Sequence, residues 1–303
     1  MQHEISNREF TMLKEKQRDE REFEFTANDF ARVRKLIYQH AGISLSEAKT
    51  DMVYSRIGRR LRVLDMVSFK TYLDKLEHEN DSEEWEAFVN SLTTNLTSFF
   101  REEHHFPILA DHLVALKKPI RIWCSAASTG EEPYTIAITA CEAFGTLTPP
   151  VEIIATDIDT NVLNTAAHGI YPNDRISKLP NNILKQYFQR GTGAQTGSVR
   201  VRNELKALIN FQPLNLLGDN WVVKEPFDVI FCRNVMIYFD KPTQTKILSR
   251  FAPLMKPHAL LFAGHSENFM YVSNAFKLRG KTVYELNKNA NSTITSIRAK
   301  ETA

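Results

Sequence analysis

Residues 119–134, PIRIWCSAASTGEEPY, decide the fold. A short apolar run, Ile120 to Cys124, gives way to small polar residues and one glycine, Gly130, and then to Glu131, Glu132 and Pro133 at the head of a helical pattern. Strand, turn and helix in this order bring backbone N–H groups to the carboxyl edge of a sheet, where open α/β folds bind ligands. Thr129-Gly130 suits the tight entry and Pro133 the first helical turn. Outward from this unit the alternation continues. VEIIATDID (151–159), PFDVIFCRN (226–234) and ALLFAGH (259–265) read as strands, whereas EEPYTIAITACEAF (131–144) and KPTQTKILSRFAPLM (241–255) read as helices. A mainly parallel sheet covered on both faces is predicted over residues 93–287.

The flanks differ. From Phe25 to Leu92 the period is helical throughout: DFARVRKLIYQHAG (29–42) places Phe30, Val33, Ile37 and Tyr38 at helical spacing with Gly42 as a stop. A second helix over Glu47–Leu64 carries Val53, Ile57, Leu61 and Leu64 on one stripe, with Arg56, Arg59 and Arg60 beside it. A small all-α domain at 25–92 is therefore expected. Residues 1–24 mix Lys, Glu, Arg and Gln without an apolar period and read as a flexible lead-in. The polar, Ser/Thr-rich tail 288–303 reads as disordered. Within the α/β domain, RGTGAQTGSVRVRNELKALINF (190–211) has Val199, Val201, Ile209 and Phe211 around a glycine-bearing turn, and predicts an inserted antiparallel β-subdomain over about 188–212.

The 303 residues are 43% hydrophobic, enough for two cores. No stretch approaches the roughly 20 consecutive apolar residues that cross a bilayer, and MQHEISNREF lacks the apolar core of a signal peptide, so a cytoplasmic protein is expected. Cys124, Cys141 and Cys232 are scattered within apolar segments and read as small core residues rather than a disulfide framework or zinc site. A net charge of +2 is too small to imply a general nucleic-acid binder, so only a local concentration of basic residues could mark an acidic partner.

Chemistry is expected at strand tips. At the second strand, Asp157 or Asp159 offers the acceptor that a ribose diol needs; Asp159 alternatively caps the next helix, which leaves Asp157 as the ribose candidate. Glu131 and Glu132 at the helix opening would repel a pyrophosphate, and GxGxxG is absent, so a dinucleotide or P-loop site is disfavoured. Alone, this turn fits an ordinary strand-to-helix connection equally well. The strand ending in Arg233 and Asn234 buries polar groups that bound atoms could satisfy. Asp240, followed by Lys241-Pro242, reads as a helix N-cap. Upstream, TTNLTSFFREEHHF (93–106) mixes Asn95, Thr97 and Arg101 with Phe99 and Phe100, aromatics that fit either a core or a cation–π contact to a sulfonium. His104 and His105 lack the i, i+4 spacing of a metal pair, and no metal is expected.

Five stretches in this order, SLTTNLTSFFRE (91–102), WCSAASTGEEPY (123–134), ATDIDT (155–160), FCRNVMIYFDK (231–241) and LLFAGHSENF (260–269), closely resemble the chemotaxis receptor glutamate methyltransferases, the CheR family. The likeness runs from about Phe25 to Leu286. It implies a class I, Rossmann-like methyltransferase fold that binds S-adenosylmethionine without a metal. By motif, Asn95, Thr97, Arg101, Glu131, Asp157, Asn215, Leu216, Arg233 and Asn234 would line the cofactor pocket. It also implies methylation of glutamates on the cytoplasmic helical region of chemotaxis receptors, by a monomer that meets the membrane only through the receptor. Arg56, Arg59 and Arg60 would then steer docking onto an acidic helix bundle. The glycine-bearing insertion resembles a subdomain that in some family members binds a receptor C-terminal peptide, with Arg190, Gly191, Gly193, Arg200 and Arg202 as candidates.

A glutamate is ionised near pH 7 and needs no general base. Arg101 and Tyr238 are therefore expected to orient the carboxylate, one by charge and one by its hydroxyl. Competing readings are methylation of another protein or small molecule, and a regulatory module that senses the cofactor without using it. A dehydrogenase lacks its fingerprint here, and HSEN (265–268) lacks the nucleophile elbow of a hydrolase.

Overall fold

Helix α1 (Ala27–Ala41) ends at Gly42, whose φ of +68° is the left-handed conformation that closes helices. The computed structural model describes residues 21–79 and 81–287 and forms two units, one of residues up to His40 with Leu45–Leu92, the other of Ala41–Ser44 and Thr93 onward. In the first unit a 3₁₀ turn, Glu47–Lys49, leads into α2 (Thr50–Val63), followed by α3 (Phe69–His78) and α4 (Ser82–Leu92). Ser68 starts α3 by accepting the Thr71 N–H at 3.1 Å. Val53, Ile57 and Leu61 are fully buried, as their spacing predicts, while Leu64 falls beyond the helix end and is partly exposed. Packing begins earlier than Phe25, because Phe23 is buried edge-on against Phe69, and Arg21 and Glu22 pair with Asp51 and Arg62. The rest of the lead-in, 1–20, and the tail, 288–303, lie outside the described residues.

The second unit opens with α5 (His105–Ala115), β1 (Ile120–Cys124), α6 (Glu131–Phe144), β2 (Val151–Asp157) and α7 (Thr160–His168). There follow β3 (Ile170–Pro172), α8 (Asn181–Tyr187), β4 (Phe188–Arg190), β5 (Ser198–Val201), the short α9 (Asn203–Lys206) and β6 (Ile209–Pro213). The chain finishes through β7 (Phe227–Cys232), α10 (Lys241–Phe251), β8 (Met255–Ala263), β9 (Phe276–Gly280) and β10 (Val283–Leu286). Among the described residues the main sheet has seven strands in the order β6-β2-β1-β7-β8-β10-β9. The first five run parallel, and β10 is antiparallel to both its neighbours. Aligned Ile122, Ile153 and Val229 belong to the apolar cluster on one face; their successors Trp123, Ile154 and Ile230 belong to the cluster on the other. That alternation is the period-2 geometry of a strand buried on both sides.

The inserted β-subdomain is a separate three-stranded antiparallel sheet, ordered β3-β5-β4. Its composition differs from the expected 188–212. Ile209 and Phe211 lie in β6, which pairs parallel with β2 at the main sheet's edge, and the third strand comes instead from Ile170–Pro172. Alternating residues state that a segment is a strand but not which partner it takes, and α9 redirects the chain before Ile209. The three cysteines are buried and unpaired. No described helix is long and apolar enough to cross a membrane.

Candidate cofactor and methyl-transfer site

Asp157 ends β2 with its carboxylate aimed by the backbone: the Ser128 N–H donates to one oxygen at 2.8 Å and the Asp159 N–H to the other at 3.0 Å. A carboxylate offers about four lone-pair sites, so each oxygen keeps capacity for another donor, the arrangement a ribose diol requires. Burial pushes the Asp157 carboxyl up to about 6, with those N–H groups opposing the shift. Asp159 has a different role. One of its oxygens accepts the N–H groups of Asn161 and Val162 and caps α7; the other accepts from Thr93 and Asn95 at 2.9 and 2.8 Å. The helix-cap alternative for Asp159 is the one realised, and it anchors Asn95 beside the strand tip. The Leu214 N–H donates to the Asp157 carbonyl at 2.9 Å, which brings Asn215 and buried Leu216 to the same edge. Arg250 stabilises that segment, donating to the Gly218 carbonyl at 2.6 Å while stacking 3.7 Å over Trp221.

The first strand-to-helix turn needs its glycine. Gly130 has φ +99°, and a Cβ there would stand 2.8 Å from Ala166 Cβ and from the Tyr171 hydroxyl. Glu131, fully buried, accepts from Thr129 Oγ1 at 2.6 Å and pairs with Arg175. Glu132 pairs with Arg233, Nη1 to Oε2, at 2.9 Å. Both glutamates are thus matched by internal cations, so repulsion of a phosphate is weaker at this turn than their sequence suggests.

Arg233 is only 4% exposed. Beyond Glu132 it faces Glu102 at 3.4 Å and donates to the Arg101 carbonyl. Protein groups, rather than a ligand, therefore satisfy most of this guanidinium, although its Nε is buried with no protein partner. Burial raises the Glu132 carboxyl despite Arg233; at Glu102 burial is outweighed, chiefly by Arg233, and the carboxyl is held below its usual range. Asn234, at φ +58°, donates from Nδ2 to Glu102 at 3.3 Å. The segments FFRE and CRN, 132 residues apart, are thus joined at one place. Half-buried Arg101 donates to the Leu96 carbonyl at 2.9 Å, and Thr97 is half-buried in the same segment. Tyr238, also half-buried, lies five residues past Arg233 on a 3₁₀ turn, Met236–Tyr238, that leads to Asp240, the N-cap of α10 as expected. Phe99 packs edge-on against Tyr171 and Phe188, and Phe100 against Phe106, so both rings serve the core.

Residues 95–285 match the CheR methyltransferase SAM-binding domain, and residues 28–93 match the CheR methyltransferase all-alpha domain. The chain belongs to the CheR family. It is 55% identical over 260 residues to a chemotaxis protein methyltransferase of Escherichia coli, covering 86% of this chain and 91% of that protein. A second relative, chemotaxis protein methyltransferase 2 of Pseudomonas aeruginosa, is 52% identical over 266 residues, covering 87% and 94%. This CheR protein is an S-adenosylmethionine-dependent methyltransferase with a Rossmann-like fold behind an all-α domain. The cofactor fits the residues present: an aimed carboxylate at the tip of β2, a glycine turn beside it and a buried guanidinium with an unpartnered Nε.

Outside this edge the arginines of α2 separate in role. Arg60 forms a bidentate pair with Glu84, which is 3% exposed and also accepts from the buried Tyr72 hydroxyl at 2.7 Å. Arg56 donates to the Ser91 carbonyl at 3.4 Å, whereas Arg59 is exposed. In the β-subdomain Arg190 lies on edge strand β4, Arg200 bonds Gln189, and Arg202 bonds the Lys185 carbonyl. Gly191 is required by space, since a Cβ would sit 2.0 Å from the Gln195 carbonyl oxygen; Gly193 has φ +57° and opens onto solvent. Glu102, His104 and His105 could gather around a cation, but Arg233 already occupies that carboxylate's field, and His105 is fully buried with Nε2 on the Lys281 carbonyl. Burial lowers the His105 imidazole to about 4. Glu102, Arg175, Arg250 and Glu267 were given no role by the sequence reading, and Glu132 was read as a repelling charge rather than as the partner of Arg233. Only Glu132 carried a local signal, a charge at the opening of an otherwise apolar helix.

Proposed function

We propose that this CheR methyltransferase transfers the methyl group of S-adenosylmethionine to glutamate side-chain carboxylates of methyl-accepting chemotaxis receptors, giving glutamyl methyl esters and S-adenosylhomocysteine. The observation that carries the reading is the junction of Arg101, Glu102, Arg233 and Asn234, which sets an arginine of the FFRE segment beside the edge where Asp157 is aimed. Relatives more than 50% identical that are named chemotaxis protein methyltransferases support the receptor as substrate.

When bound, S-adenosylmethionine supplies a sulfonium-activated methyl group with a neutral leaving group. Asp157 holds the ribose, with Asn95, Thr97, Glu131, Asn215, Leu216, Arg233 and Asn234 around the remainder. Arg101 and Tyr238 aim the incoming carboxylate, which is already ionised and needs no base. Alignment of reacting atoms at about 3–3.5 Å can account for roughly 7–11 kcal/mol of barrier, so positioning is the protein's main task. Opposite charges cancel as the bond forms, which favours a pocket whose own charges are internally paired, as Arg233, Glu132 and Glu102 are.

Exposed Arg59 steers the acidic receptor bundle, and the edge of β4 takes a receptor C-terminal peptide as an added strand, in a cytoplasmic monomer that needs no metal. A β-subdomain deletion that binds such a peptide unchanged contradicts the tether. The site is tested by Arg101→Ala and Tyr238→Phe in a receptor methylation assay: each lowers kcat at least tenfold, and wild-type rates in both contradict the assignment.

A further inference from the structure

Four backbone N–H groups converge on one buried carboxylate. Glu267, 4% exposed, accepts from Asn234 at 2.9 Å and Gly264 at 2.5 Å through Oε2, and from Val235 at 3.0 Å and Met236 at 2.7 Å through Oε1. These donors lie on the two segments that leave the carboxyl ends of neighbouring strands β7 and β8. Three of them sit around the 3₁₀ turn that ends at Tyr238, where N–H groups have no partner within the turn. Asn234 is held at φ +58°, in the left-handed region that non-glycine residues other than Asn and Asp seldom adopt. Gly264 completes the fit. A Cβ there would stand 2.5 Å from Asn234 Nδ2 and 2.8 Å from both the Asn234 nitrogen and Glu267 Oε2.

We infer that Glu267 is a positioning residue for methyl transfer: its carboxylate latches the loop after β7 to the loop after β8, fixing Asn234 and Tyr238 in one arrangement. The inference rests on the placement of those two residues at the proposed site. The chemistry favours a carboxylate over an amide, because two donors meet each oxygen and an amide would turn one acceptor into a third donor. A buried N–H left unpaired carries a desolvation penalty, so the loop opens rather than tolerates the mismatch. Both Glu267 oxygens are taken up by backbone N–H groups. Its effect passes through the backbone of residues 234–236.

The test uses the full-length enzyme, Glu267→Gln, Tyr238→Phe and the double variant. In wild type the amides of Asn234, Val235 and Met236 exchange hydrogen as slowly as those of β7; rapid exchange there overturns the latch whatever the variants do. In Glu267→Gln these amides exchange at least tenfold faster, and kcat falls at least tenfold with receptor KM nearly unchanged. The double variant falls no more than about twofold below the weaker single variant, since both changes act on one loop. Additive losses, or a Glu267→Gln enzyme with wild-type kcat, contradict the positioning role. If wild type transfers no methyl group to receptor while exchange and S-adenosylhomocysteine affinity by calorimetry still respond to Glu267→Gln, the substrate assignment fails and the latch stands.

Discussion

Arg233 Nη1 lies 2.9 Å from Glu132 Oε2, and this buried ion pair ties the end of β7 to the first turn of α6. The two side chains are 1% and 11% exposed, so neither can exchange its partner for water. The pair sits between the glycine turn and the loop that carries Asn234 and Tyr238, and it sets their spacing across the sheet edge.

Removing the cation takes from Glu132 and Glu102, both largely shielded from water, the charge they share. Arg233→Ala is expected to destabilise the second unit by about 3–5 kcal/mol in chemical denaturation, the range for breaking one side of a buried pair. A loss below 1 kcal/mol would show that water enters the site and that the pair is not structural.

The proposed contact of Asp157 with the ribose makes cofactor binding pH-dependent. Its folded carboxyl is raised to about 6, above the ordinary value of 3.8, so the folded chain takes up this proton more readily than the unfolded one. The contribution to stability is therefore greatest below the unfolded value and is lost as pH rises through about 6. Binding runs the other way, because in the proposed contact the ribose diol donates to the ionised form. S-adenosylhomocysteine affinity measured by calorimetry weakens as pH falls from 7.5 through about 6, and Asp157→Asn binds more weakly with a flat profile over that range. A wild-type affinity that does not change across this window contradicts the ribose assignment.

Arg59 and Arg60 are adjacent but lead to opposite outcomes. Arg60→Ala strips Glu84 and Tyr72 of their shared cation and lowers stability of the helical unit by about 2 kcal/mol or more. Arg59→Glu leaves the thermal midpoint unchanged, but lowers receptor methylation severalfold at low salt and flattens its salt dependence. If Arg59→Glu keeps the wild-type salt response, α2 does not steer the receptor.

Much of the main fold was legible because its signals are local. Short apolar runs closed by Cys124, Asp157 and Asn234 announce buried strands, and Asp159 and Asp240 have the short acceptor side chains that cap the helices after them. What the sequence concealed was pairing over distance. Nothing near Glu131 names Arg175 as its partner, nothing near Arg233 names Glu102, and Glu267 sits in an unremarkable polar turn 31–33 residues from three of the N–H groups it holds. Edge strands were hidden for a related reason. Ile209 and Phe211 have the alternation of a hairpin strand, but their partner is settled by where α9 sends the chain. Similarly, the arginines of α2 look alike in sequence, and only the buried position of Glu84 separates Arg60 from Arg59.

The most direct test of the central claim is transfer of a radiolabelled methyl group from S-adenosylmethionine to a purified cytoplasmic fragment of a chemotaxis receptor. The expected result is label on receptor glutamates that mild base releases as methanol, the behaviour of a methyl ester, with label abolished when the acceptor glutamates are replaced by alanine. An unlabelled receptor, or label that withstands base, would contradict it.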